Sequence, residues 1–258
     1  MKMAKVLVCV FIAISLLACT TSAERKREKD KAAQAASAYT QLGIEYLREG
    51  NYELSLAKLQ KAIEIDPDFS LAHGSIAILY EKVGDDKLAE KHYRKALSLN
   101  PDDAGGHNNY GQFLCFQGRY EDASKEFMMA AKNPFYATPA VPITNAGLCA
   151  KRIPDMPLAE QYFRQALQLD EQFAPALLQM ALFKFEQGAF LSARAYLQRF
   201  QEVAKHSPDS LWLAVRTEFA LKDESTSGYY AVMLKENFPK SEQAMLLLEW
   251  ENERRSGR

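Results

Sequence analysis

A period of 34 residues constrains this chain more than any other feature of its sequence. Residues 52–67 read YELSLAKLQKAIEIDP and residues 87–101 read KLAEKHYRKALSLNP. Ala62 and Ala96 are 34 residues apart, as are Pro67 and Pro101. A unit of that length holds two short amphipathic helices, which cannot bury their apolar faces alone. Successive copies must therefore stack on one another.

Thirty-four residues is the tetratricopeptide period, and the residue pattern resembles that repeat. Small residues at repeat positions 8, 20 and 27 let the two helices cross closely, large ones at 4, 7, 11 and 24 fill the gaps, and proline at 32 stops the second helix. The segment 36–69 supplies Tyr39, Leu42, Gly43, Tyr46, Ser55, Leu59, Ala62 and Pro67 in this frame. The segment 70–103 supplies His73, Ile76, Ala77, Tyr80, Ala89, Tyr93, Ala96 and Pro101. A third, 104–139, carries two extra residues in its proline-rich end, because Gly111 and Gly147 are 36 apart. Weaker copies follow at 140–173, 174–207 and 208–241, and residues 242–258 read as a capping helix and tail with Ala244, Leu247 and Leu248 on one face. No stretch reads as a strand. The expected fold is all-α, a right-handed α-superhelix (solenoid) of about six tetratricopeptide repeats closed by a C-terminal helix.

The N-terminus reads differently. Lys2 and Lys5 precede an apolar run from Val6 to Leu17, broken only by Ser15. That run is too short to cross the roughly 30 Å of bilayer hydrocarbon as a helix, and it has the form of a secretory leader over 1–18. It ends in Leu16-Leu17-Ala18-Cys19, which resembles the bacterial lipobox. That resemblance implies acylation of Cys19, and two or three acyl chains anchor stably where one binds only marginally. Thr20 follows the cysteine, and by the enterobacterial sorting rule the lack of Asp there implies the outer membrane. Loss of Lys2 and Lys5 with the leader takes the net charge from −1 to −3. The mixed-sign run from Glu24 to Lys31 reads as a solvated tether within 19–35. Neither feature suits a nucleic-acid binder, which would carry a basic stripe.

No catalytic constellation stands out, and neither a cofactor nor a small-molecule substrate is implied. His73 and His107 fall on repeat position 4, a packing position, with no second ligand three or four residues on, so a structural role is preferred to a metal site. Gly50, Gly84, Gly118 and Gly188 mark helix ends. Cys115 and Cys149 lie on neighbouring first helices at positions 12 and 10; a disulfide is conceivable, and two small buried thiols are the preferred reading.

Function in such an array lies in the groove lined by positions 2, 5, 9, 12 and 13 of the first helices. Here those positions give Thr40, Ile44 and Leu47, then Leu71, Ile78, Glu81 and Lys82, then Asn108, Gln112, Cys115 and Phe116, with Asn109 beside them. The lysine and asparagine that clamp a peptide C-terminus in some of these proteins are replaced by Thr40 and Ile44. A mixed apolar and amide groove suits an extended or helical peptide. Phe135 and Tyr136, in the inserted segment, form a second candidate patch, with burial in the core an equal alternative.

The lipobox, the array, and the segments 107–114 (HNNYGQFL), 119–123 (RYEDA), 145–148 (NAGL), 193–196 (ARAY) and 238–241 (FPKS) together resemble the pilotin lipoproteins of type IV pilus systems, the PilF/PilW family. That resemblance implies a periplasmic repeat domain, lipid-anchored at the outer membrane, that binds the type IV pilus secretin and aids its assembly. It also implies binding through the early repeats. The alternative is an envelope scaffold that recruits peptidoglycan hydrolases or a protease, with the same anchor and array.

Overall fold

Local capping chemistry explains where the helices begin and end. Asn51, Asp85 and Asp223 each accept a hydrogen bond from a backbone N–H three residues on, satisfying a donor that a helix start leaves free. At the other end, Gly84 closes its helix in the left-handed region at φ 80°, which glycine adopts without a Cβ clash. Gly50, Gly118 and Gly188 do the same.

The computed structural model describes residues 24–153 and 156–256, apart from the side chain of residue 25; residues 2–23 enter only as the leading part of the first element. The leader 1–18 and the candidate lipidation residue Cys19 thus lie outside the described residues. The elements are α1 (Lys2–Arg48), α2 (Tyr52–Ile65), α3 (Ser70–Val83), α4 (Asp86–Leu99), α5 (Ala104–Phe116), α6 (Tyr120–Lys132) and α7 (Ala140–Ala150). They continue with α8 (Met156–Leu169), α9 (Ala174–Glu186), α10 (Phe190–Val203), α11 (Pro208–Ala220), α12 (Glu224–Asn237) and α13 (Glu242–Arg255). Among the described residues there is no strand. The chain is an all-α repeat protein, and it forms two compact units, 1–110 and 111–258.

In the first unit α1 packs on α2 and α3 on α4. Gly43 is buried where α1 crosses α2: a Cβ there would lie 2.5 Å from Leu59 Cγ. The buried Ser55 hydroxyl donates to the Gly43 carbonyl at 2.8 Å, tying the pair together. Leu59, Ala62, Ala89, Tyr93 and Ala96 are all buried at the crossings. Each large side chain withdrawn in this way stabilises by about 1.5–3 kcal/mol. Leu42, expected to fill a gap at position 7, is instead exposed. Position 7 packs toward the preceding helical pair, and before residue 36 the chain only continues α1. The charge run over residues 26–31 is solvent-exposed along that same helix.

In the second unit the same pairing joins α7 with α8, α9 with α10 and α11 with α12. Phe127, Phe163 and Leu197 are buried at position 24, facing the close crossings. The most divergent stretch keeps the geometry of the most regular one: Ser227 Oγ donates to the Val215 carbonyl at 3.0 Å, twelve residues back, as Ser55 does to Gly43. The last helix, α13, buries Ala244 and Leu247 against α11 and α12. Leu248, expected on the same face, is exposed; one residue past Leu247 it is turned about 100° away.

Candidate functional site

The expected groove positions separate into two sets. Positions 5 and 12 lie three residues before and four after position 8, so on a 3.6-residue helix they share the face that crosses the second helix. Positions 2, 9 and 13 make up a different, outward face. In the first unit that face of α3 carries Leu71, 52% exposed, with half-buried Ile78 and exposed Lys82. Val83 beside them is also exposed. Glu81 at position 12 is half-buried and accepts a hydrogen bond from Tyr93 Oη at 2.8 Å. Burial, followed by the Glu81 charge, pushes the Tyr93 phenol far above its ordinary range, so it stays a donor. Asn109 and Gln112 are half-buried.

Three expected groove residues are not on that surface. Thr40 and Asn108, both at position 5, are buried. Thr40 Oγ1 donates to the Ala36 carbonyl at 2.8 Å, and Thr144, again at position 5, donates to Ala140 in the same way. Cys115 is buried at position 12, and it forms a disulfide with Cys149 across Cα atoms 5.8 Å apart. The preference for two free thiols is therefore corrected. Neighbouring first helices present opposite flanks to each other, and positions 12 and 10 differ by about 200° around a helix. Two cysteines at the same position would have pointed the same way.

In the second unit the outward face begins with Phe116, 65% exposed. The Arg152 guanidinium lies 4.6 Å from its ring centroid and donates to the Cys115 carbonyl at 3.4 Å. In the inserted segment Asn133 Oδ1 accepts from the Phe135 N–H at 2.8 Å, and the Asn133 carbonyl accepts from the Tyr136 N–H at 3.1 Å. This side-chain turn aims Phe135 into solvent, 94% exposed, while Tyr136 is half-buried. The two aromatics thus behave differently.

The histidines serve the framework. His73 Nε2 lies 3.0 Å from the Pro67 carbonyl and His107 Nε2 lies 2.8 Å from the Pro101 carbonyl. A carbonyl only accepts, so in each neutral ring Nε2 carries the proton. His73 Nδ1 then accepts from His92 Nδ1 at 3.0 Å. Burial lowers the His92 pKa to about 4, with His73 and Lys91 adding to the shift. Among the described residues no group of three His, Cys, Asp or Glu is arranged to hold a metal.

Sequence reasoning passed over a run of aromatic rings and arginines on α9, α11 and α13. Arg216 lies over Phe185 and Trp212, Trp212 meets Trp250 edge to face, and Arg254 lies over Trp250 and Phe219. The signal was present: Phe185, Trp212, Arg216 and Phe219 stand at positions 12, 5, 9 and 12 of their repeats.

Comparison with known proteins bears on what these surfaces serve. The tetratricopeptide repeat family matches residues 36–69 and 70–103, and a second tetratricopeptide model matches 92–123. The type IV pilus assembly protein PilF of Pseudomonas aeruginosa is 33% identical over 232 residues, covering 89% of this chain and 92% of that protein. A solved structure of Pseudomonas aeruginosa PilF superposes with a TM-score of 0.72 at 32% identity, over 86% of this chain and 99% of that one. The crystal structure of PilW, described as a widely conserved type IV pilus biogenesis factor, gives a TM-score of 0.71 at 32% identity, over 83% and 99%. The chain belongs to the PilF/PilW family of type IV pilus biogenesis proteins, built from tetratricopeptide repeats.

Proposed function

We propose that this chain is an outer-membrane lipoprotein, held by acylated Cys19, whose periplasmic repeats bind the type IV pilus secretin subunit and promote its localisation and assembly into multimers. The observation that carries the reading is the outward face of α3, where Leu71, Ile78 and Lys82 lie open in a member of a pilus-assembly family. An apolar strip with a charged rim suits a peptide docking by its own apolar residues. Phe135 offers a second contact, because a ring that is almost wholly exposed has no packing role to fill. A lipid tether would hold the bound subunit at the membrane and raise its local concentration, so modest affinity suffices. The array acts as a non-catalytic adaptor.

The test is co-purification of the secretin with this chain from detergent-solubilised membranes. Leu71→Asp with Lys82→Glu is expected to reduce recovery at least tenfold, and Phe135→Ser to reduce it less, with helical content unchanged in both. Undiminished recovery with the α3 double variant would remove that face from the reading. Recovery of peptidoglycan hydrolases in place of the secretin would favour the scaffold alternative.

A further inference from the structure

The gap-filling pattern of the repeat is broken in one place. Positions 7 and 11 carry large side chains in the first three repeats: Leu42 and Tyr46, Ile76 and Tyr80, Tyr110 and Leu114. In the fourth repeat both are alanine, Ala146 and Ala150. The fifth has Met180 with Lys184 and the sixth Ala214 with Glu218, so no other repeat has lost both. Ala146 and Ala150 are nonetheless buried, at 2% and 4% exposure. Volume missing from a packed interior leaves a space unless the neighbours collapse into it. Here it leaves a cavity of about 370 Å³, bounded by α6, α7 and α8 within the second unit.

The volume lies at the lower end of the range, roughly 300–1,000 Å³, in which proteins hold small ligands. Ala146, Ala150, Ile153 and Leu158 form apolar walls, together with Tyr120. Polar groups converge at one point: Ser124 Oγ and Tyr162 Oη both line the cavity and lie 2.8 Å apart. Either hydroxyl can donate to the other, so one of their two protons is always left over. Among the described residues no acceptor takes it. Both side chains are half-buried, and a hydroxyl withdrawn from water favours a ligand that supplies the missing partner. Charge does not select that ligand. Glu121 and Lys125 also line the cavity and are exposed. Asp122 pairs with Arg119 at 2.9 Å and with Lys125 at 3.3 Å, so these four charges on one edge of α6 sum to zero.

We propose that this cavity binds a neutral phenol, its ring filling the space that Ala146 and Ala150 leave and its oxygen taking the spare proton of the Ser124 and Tyr162 pair. A phenol matches both parts of the site. The ring suits the apolar walls, and the hydroxyl can accept that proton while donating its own to a lone pair of the same two oxygens. A free small phenol and the tyrosine side chain of a peptide partner offer the same chemistry. The cavity uses no part of the α3 face, so its failure and that of the secretin reading are independent results.

The test is calorimetric titration of p-cresol into the full-length chain in detergent, with the same detergent alone as reference. Toluene, which lacks only the hydroxyl, is titrated in parallel. p-Cresol is expected to bind saturably at one site, about fivefold or more tightly than toluene, the usual worth of one hydrogen bond. Ser124→Ala with Tyr162→Phe is expected to bring the two ligands to equal affinity with an unchanged melting curve, because only the hydroxyl contact is lost. Ala146→Met restores the residue type that the fifth repeat carries at this position. It is expected to fill the cavity and weaken both ligands roughly tenfold or more, with a melting curve that holds or rises. A peptide with a single tyrosine among alanines separates the two sources. Tighter binding than p-cresol assigns the ring to a peptide partner and weaker binding to a free phenol, and either order upholds the ligand class. Absence of saturable p-cresol binding would overturn the proposal, as would equal affinity of the wild type for p-cresol and toluene. So would a preference for p-cresol that survives in the hydroxyl-free double variant, or undiminished binding by a folded Ala146→Met chain.

Discussion

Two residues set how closely the helices of the second unit can approach. A Cβ on Gly147 would lie 2.5 Å from Phe163 Cε1, and one on Gly111 would lie 2.8 Å from Phe127 Cδ1. Both rings are buried and have no room to retreat. Gly147→Ala is therefore expected to destabilise by about 1–3 kcal/mol, the usual cost of overpacking a full core, read as a lower midpoint in urea. A second residue-scale effect concerns His92. Its folded pKa of about 4 lies below the ordinary 6.5, so between those values the unfolded chain takes up a proton that the folded chain refuses. Stability from this site is complete above pH 6.5 and declines as pH falls toward 4. Thermal melts at pH 7 and pH 5 should show a drop that is smaller in His92→Gln. An equal drop in both would assign the loss to other groups.

At the scale of elements, the disulfide between α5 and α7 does what the inserted segment threatens to undo. Residues 133–139 separate α6 from α7, yet Cys115 and Cys149 hold the first helices of the two pairs together. A cross-link over a sequence separation of 34 is worth about 3–4 kcal/mol in the chain-entropy account. Cys115→Ser with Cys149→Ser should lower the unfolding midpoint of the second unit by that order, and a reductant should lower the wild type but not the double variant. The helical array itself was legible in the sequence, since the 34-residue spacing and the small residues at positions 8, 20 and 27 report a requirement that packing imposes directly. The disulfide was not, because pairing between neighbouring helices depends on opposite flanks rather than on equal positions. The same reasoning explains Asn108 and Cys115. A list of groove positions treats 5 and 12 as equal to 2, 9 and 13, but Thr40, Asn108 and Cys115 at positions 5 and 12 of α1 and α5 turn toward the helix crossing and are buried, whereas the larger rings of Phe185, Trp212 and Phe219 at those positions in α9 and α11 are only half-buried. Phe135 could not be decided from sequence, because an aromatic beside prolines is compatible with either burial or exposure until the Asn133 turn sets its direction.

For the molecule as a whole, a repeat array in the PilF/PilW family carries an exposed apolar face on α3, and its residues Leu16-Leu17-Ala18-Cys19 resemble a lipobox. In the proposed function each part has a distinct physical duty: the array would hold the face rigid, the face would recognise the partner, and the lipid would set where recognition occurs. Removing the anchor should thus leave binding intact and abolish its consequence at the membrane. The most direct measurement is the state of the secretin in a strain lacking this chain, complemented with wild type or with Cys19→Ala, after membrane fractionation and probing for heat- and detergent-resistant multimers. If the proposed function holds, multimers vanish on deletion, return with wild type, and fail to reach the outer membrane with Cys19→Ala. Undiminished multimers and pili in the deletion strain would contradict it.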